Sequence, residues 1–296
     1  MKAWISAARP RTLPLALSSI IAGSGMAAYM HAFRWPVFLL ATLTAILLQV
    51  LSNFANDLGD HENGADNAGR IGPARAVQSG EITPAAMKRA MIVCGVLAFI
   101  SGCALIIVSL GITITTLVFL LIGLGAIAAA VKYTYGRNPY GYAGLGDVSV
   151  FLFFGLAGVL GTFYLNTGSL PERVVPVAVA FGLLSAGVLN LNNMRDITND
   201  AAEGKRTLVV RIGGGPARRY HISIIALALV LLAVIAWRTG SWFPWLFAIG
   251  AVPIAIHLRN VLRISDPKSY DPELKKLALG TFFTAITFAL GLILAA

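Results

Sequence analysis

Charge and cysteine are what this sequence has least of. Charged residues make up 12% of its 296, about half the share usual in soluble domains. Hydrophobic residues make up 57%. A water-soluble fold cannot hide that much apolar surface, so lipid must be the solvent for most of the chain. The only two cysteines, Cys94 and Cys103, would lie about 13 Å apart along one helix, too far to bridge. They read as small core hydrophobes and exclude a disulfide scaffold. Four histidines, His31, His61, His221 and His257, show no ligand spacing, which argues against a histidine-based metal centre. Low-complexity tracts and a separate soluble domain are lacking too, so residues 1–296 are expected to form one transmembrane domain.

The sparse charges show how the chain is cut. Uncharged windows of 22 residues separate Arg11 from Arg34 and Arg34 from Asp57. Arg89 to Lys132 encloses 42, room for two spans joined by a tight turn near Ser109-Leu110-Gly111. Further windows of 24, 21, 18 and 20 residues follow Asp147, Arg173, Arg219 and Arg238, and a last 20 follow Lys276. Each matches the ~20 residues that a helix needs to cross the hydrocarbon core. Barrel strands would be ~10 residues long and alternate polar with apolar, which these windows do not. The expectation is an all-α polytopic membrane protein with nine transmembrane helices. The basic stretch before the first window resembles a signal-peptide start, but eight further spans favour a retained helix.

Orientation follows from the cations. With nine spans, 20 of the 23 basic residues fall on the N-terminal side of the bundle, all but Arg34, Arg173 and Arg238. That bias predicts a cytoplasmic N-terminus. Twelve of the thirteen acids, all but Glu172, share that side, although acids contribute little to orientation. Cations and carboxylates gathered at the same membrane face suggest a site for something both metal-binding and anionic. The net charge of +10 also suits anionic headgroups, and nothing points to nucleic acid.

Two carboxylate clusters sharpen this. In the second span Asn53, Asp57 and Asp60 follow i, i+4, i+7 and share a helix face; Asp66 comes after a break expected at Gly64. In the sixth, Asn192, Asp196 and Asp200 are spaced by four. Both clusters end an apolar helix at the unfavourable end of its dipole. Such acids repel one another and need a cation between them. Hard oxygen donors suit magnesium, which keeps waters and substrate phosphates in its shell. Basic residues flank both: Arg70 and Arg75 after the first, Lys205, Arg206 and Arg211 after the second, Lys132 and Arg137 at the end of the fourth span. These side chains suit phosphate oxygens.

At these residues the sequence resembles the UbiA family of intramembrane prenyltransferases. The family's first aspartate-rich motif appears as Asn56-Asp57-x-x-Asp60, with its third acid displaced to Asp66. That displacement resembles the branch acting on 1,4-dihydroxy-2-naphthoate. So do Arg9-Pro10-Arg11-Thr12-Leu13-Pro14, Tyr140 through Asp147, Asn192-Asn193-Met194-Arg195-Asp196 and Gly204-Lys205-Arg206-Thr207-Leu208. The resemblance covers nearly the whole chain. It implies nine helices around a central chamber and a polyprenyl diphosphate bound head-first between the two motifs. Asp57, Asp60, Asp66, Asp196 and Asp200 would hold magnesium. Asn53, Asn56 and Asn192 would help bind substrate, and Lys132, Arg137, Lys205 and Arg206 would bind phosphate. Arg9 would contact an aromatic acid acceptor. The allylic cation left by diphosphate would be attacked by the naphthoate, with loss of carbon dioxide, giving demethylmenaquinone in a bacterial inner membrane. Three alternatives stay open. Another acceptor such as 4-hydroxybenzoate or haem is possible within the family. A CDP-alcohol phosphatidyltransferase would need a D-G-x-x-A-R motif, which is missing. A cation or solute transporter would place acids near the bilayer midplane, where no window carries one.

Overall fold

The computed structural model describes residues 1–64 and 75–296. Asp66 and Arg70 lie outside the described residues. The helices are α1 (Lys2–Ala8), α2 (Leu13–Tyr29), α3 (Trp35–Glu62), α4 (Pro84–Leu110), α5 (Ile114–Lys132), α6 (Gly146–Thr167), α7 (Val175–Ala202), α8 (Leu208–Ile212), α9 (Gly214–Arg238), α10 (Phe247–Gly250), α11 (Val252–Val261) and α12 (Asp271–Ala295). Among the described residues there is no strand.

Among the described residues eight helical segments are long and apolar enough to cross a membrane, and a bent pair makes up to nine. The bend corrects one expectation. The window after Arg238 is not one straight helix but Phe243–Gly250 and Val252–Val261, bent by 41°. Pro253 lies in the first turn of α11; a proline there lacks the N–H and crowds the carbonyl four residues back, so the helix breaks. The first span is also broken. Arg9 adopts a left-handed backbone (φ 49°) between α1 and a short 3-10 turn at Pro10–Thr12. The turn expected near residue 110 forms at Gly111 (φ 64°). Its neighbours, the Val108 and Ser109 carbonyls, accept hydrogen bonds of 2.7 and 3.1 Å from the Arg34 guanidinium.

Lipid gives helices no hydrophobic reason to associate, so close backbone packing must do it. The helices α6 and α7 cross at a glycine pair: a Cβ on Gly155 would stand 2.7 Å from the Gly182 Cα. The middle of α6, Phe151–Leu160, is wound as a π-helix, a form frequent at functional sites. The main core gathers residues of α2, α6, α7, α9 and α12, including Phe163, Phe181 and Phe288. No residue of α5 is buried, as suits a lipid-facing helix.

Candidate active site

The helix of each cluster continues through its acids, as the spacing requires. Asp57 and Asp60 lie within α3, and Asp196 and Asp200 within α7. Asp57, Asp60 and Asp200 are buried. A cation or donor stands at each. The Asp57 carboxylate accepts hydrogen bonds from the backbone N–H groups of Ala76 and Val77, at 3.2 and 3.1 Å. Asp60 pairs with the Arg75 guanidinium at 2.5 Å and accepts a 2.8 Å bond from the Tyr142 phenol. Asp196 pairs with Arg195 at 2.7 Å, and the same guanidinium reaches Asp271 at 2.6 Å. Lys205 lies 3.7 Å from Asp200. The acids are therefore not bare, contrary to the density argument; Arg75 and Lys205 come from the loops and Arg195 from α7 itself.

The two clusters meet. Lys205 forms an ion pair with Asp200, lies 5.3 Å over the Tyr142 ring and acts electrostatically on Asp60. Asp200 in turn feels both Asp196 and Asp60. Two loops close over the helix ends. The Arg206 backbone N–H donates to the Tyr142 carbonyl (3.0 Å), and the Arg211 guanidinium donates to the Ala143 carbonyl (2.7 Å). Helix α3 can approach the loop after α5 only because residue 59 is glycine: a Cβ there would stand 2.5 Å from the Thr134 carbonyl oxygen. Burial, and then the Asp60 carboxylate, push the Tyr142 phenol well above its ordinary value.

The expected asparagines have other partners. The Asn53 amide donates to the Ala8 carbonyl and to Thr12 Oγ1, both at 2.9 Å. It thereby fixes the elbow that holds Arg9, whose charge acts on Asp60. The Asn56 amide oxygen accepts from Thr134 Oγ1 at 2.7 Å, and its carbonyl accepts from Arg75. Asn192 accepts from Arg195 at 2.9 Å. Lys132, Arg137 and Arg206 are exposed. Arg195 and Tyr142 were not among the expected site residues, and Arg75 was noted only as a cation flanking the first cluster. Arg75 and Tyr142 sit in stretches the sequence had flagged, but their pairing with Asp60 across 15 and 82 residues leaves no local signal.

Among the described residues no three acidic, histidine or cysteine side chains gather closely enough to hold a metal alone. Magnesium does not require that, since one or two carboxylates with waters and phosphate oxygens suffice. The donor set fits it: carboxylate oxygens from both helices, with Asp200 Oδ2 buried and lacking a partner among the described residues.

Residues 16–286 match the UbiA prenyltransferase family. The chain belongs to that family. Over 294 residues it is 44% identical to the 1,4-dihydroxy-2-naphthoate octaprenyltransferase of Escherichia coli (strain K12), covering 99% of this chain and 96% of that one. The Haemophilus influenzae enzyme of the same name is 42% identical, with the same coverage. In fold, the chain is similar to a UbiA homolog from Archaeoglobus fulgidus bound to DMAPP and Mg2+ (TM-score 0.65, 18% identity, 96% of this chain and 99% of that one). It is similar also to an Aeropyrum pernix homolog (TM-score 0.70, 17% identity, 95% and 97%). The protein is thus an integral membrane prenyltransferase of UbiA fold.

Proposed function

We propose that this protein transfers a polyprenyl group from polyprenyl diphosphate to 1,4-dihydroxy-2-naphthoate, with loss of carbon dioxide and diphosphate, giving demethylmenaquinol, the reduced form of demethylmenaquinone. The observation that carries the reading is the meeting of Asp60 and Asp200 across Lys205 and Tyr142. The acceptor assignment draws its support from the two near-full-length relatives of that name.

Each residue has a task in this reading. Asp57, Asp60, Asp196 and Asp200, with Asp66, would hold magnesium, which when bound neutralises charge on the diphosphate. Lys205 and Arg75, already beside the acids, offer hydrogen bonds to diphosphate oxygens as the C–O bond breaks. Lys132, Arg137 and Arg206 serve as outer phosphate contacts. The buried ends of α3 and α7 exclude water, which would otherwise capture the allylic cation. A ring carbon bearing a carboxylate regains aromaticity by losing carbon dioxide, so the transfer needs no protein base. The charge bias supports a cytoplasmic N-terminus and a site on the cytoplasmic face of a bacterial inner membrane. The 296 residues act as one domain.

The test supplies purified protein with magnesium, a polyprenyl diphosphate, and carboxyl-labelled naphthoate beside equal 4-hydroxybenzoate. Prenylated naphthol without the label is the expected product. A product that keeps the label, or preferential prenylation of the benzoate, overturns the acceptor assignment.

A further inference from the structure

Two buried carboxylates take no part in either cluster, and one of them, Glu273, is bonded by His257, Asn260 and Lys276. Asp147, in the first turn of α6, is 5% exposed, and its Oδ1 has no hydrogen-bond partner among the described residues. The helix N-terminus favours a negative charge there, but that does not satisfy a buried oxygen, which is costly to leave unpaired. The Tyr220 phenol of α9 interacts with the same carboxylate, and among the described residues no donor reaches Oδ1.

Its location is informative. The Tyr133 phenol packs on Gly146, where a Cβ would stand 2.9 Å from it. That phenol feels Asp147 together with Asp60 and Asp200. Tyr133 directly precedes Thr134, whose hydroxyl bonds Asn56 of the first cluster, so Asp147 stands beside the site, one tyrosine away from its acids. A carboxylate at that place repels a diphosphate and repels the acceptor's own carboxylate. It attracts a neutral O–H. Of the two naphthoate hydroxyls, the one at C1 can bond internally to the adjacent carboxylate. The one at C4, on the far side of its ring, cannot.

We propose that Asp147 is an acceptor-specificity residue, its free oxygen accepting a hydrogen bond from the 4-hydroxyl of the bound dihydroxynaphthoate. This rests on the acceptor assigned above. Asp147 takes no proton. The ring carbon bonds to the allylic carbon, diphosphate leaves with the C–O electron pair, and the pair released by carbon dioxide restores the ring. Both hydroxyl protons stay on the product. A site that bonds a substrate hydroxyl strongly rejects an analogue lacking it, because its own polar atom is left unpaired.

The experiment compares full-length wild-type protein with Asp147→Asn, whose single amide oxygen goes to Tyr220. The KM for the dihydroxynaphthoate should rise at least ~10-fold, while the KM for polyprenyl diphosphate stays within ~2-fold. The Ki of 1-hydroxy-2-naphthoate, which lacks the 4-hydroxyl, should not change. An unchanged acceptor KM, an equal rise in that Ki, or a rise in the diphosphate KM overturns the proposal. A measurement on the wild type is independent of the variant's folding: 1-hydroxy-2-naphthoate should bind at least ~10-fold more weakly than the dihydroxy acid, and equal affinity is fatal. Wild-type protein that does not prenylate the dihydroxynaphthoate removes the acceptor assignment, and this contact with it. Prenylation with an unchanged KM in the variant removes the contact alone.

Discussion

Tyr142 donates a 2.8 Å hydrogen bond to Asp60, joining the loop after α5 to the acidic end of α3. A hydrogen bond to a charged group contributes about 1.5–3 kcal/mol. Tyr142→Phe should therefore lower kcat/KM about 10- to 100-fold. The phenol's raised pKa fixes how this varies with pH. A group shifted upwards keeps its protonated form, so the bond is complete below the ordinary value of 10.0 and is lost only as pH rises through the higher folded value. The variant's deficit should be the same at pH 7 and at about pH 9.5. A deficit that vanishes by pH 9.5 would show that the phenol ionises in the working range.

The two acidic clusters should be equally necessary. Asp57→Ala and Asp196→Ala should each cost at least ~100-fold in rate, and chelation should abolish transfer until magnesium is restored. Glu172 precedes α7 at the end opposite Asp196, about 36 Å away along the helix. Glu172→Ala should remain within ~2-fold of wild type, since surface changes are usually near neutral. Activity in excess chelator, or a Glu172 effect as large as that of Asp57, would put the site elsewhere.

The spans were legible because lipid imposes a rule on every residue they contain: a charge in the core is costly, so charges mark the ends. The facing of Asp57 with Asp60, and of Asp196 with Asp200, follows from helical periodicity alone. What escaped depends on contacts distant in sequence. Nothing local shows that Asn53 bonds Ala8 and Thr12 instead of facing the acids. The left-handed Arg9 and the bend before Pro253 have local causes, but a hydropathy window averages over both. His221 and His257, which showed no ligand spacing, meet at 2.8 Å because α9 and α11 pack together.

The approach of α3 to Thr134 makes Gly59 a stability residue within the active site. Its added Cβ would meet backbone, which cannot rotate aside, and overpacking of this kind costs about 1–3 kcal/mol. Gly59→Ala should lower the thermal midpoint in detergent by several degrees and reduce activity by shifting Asp57 and Asp60. A variant with unchanged midpoint and rate would mean that the α3–Thr134 contact is looser than described.

Arg195 separates a charge role from a geometric one. Its side chain is 5% exposed and bonds Asn192, Asp196 and Asp271 at once. Removing one partner of a buried pair leaves the other charge uncompensated, which costs about 3–5 kcal/mol when both are fully buried. Asp196 and Asp271 are 14% and 46% exposed, so the loss for Arg195→Met should be nearer 2 kcal/mol, read as a lowered unfolding midpoint. Arg195→Lys keeps the charge but loses the fork that holds several acceptors together. It should recover most of the stability while leaving Asp196 poorly aimed, with a rate still reduced about 10-fold. If lysine restores rate as fully as stability, Arg195 acts as a charge alone and its three-way geometry has no part in positioning Asp196.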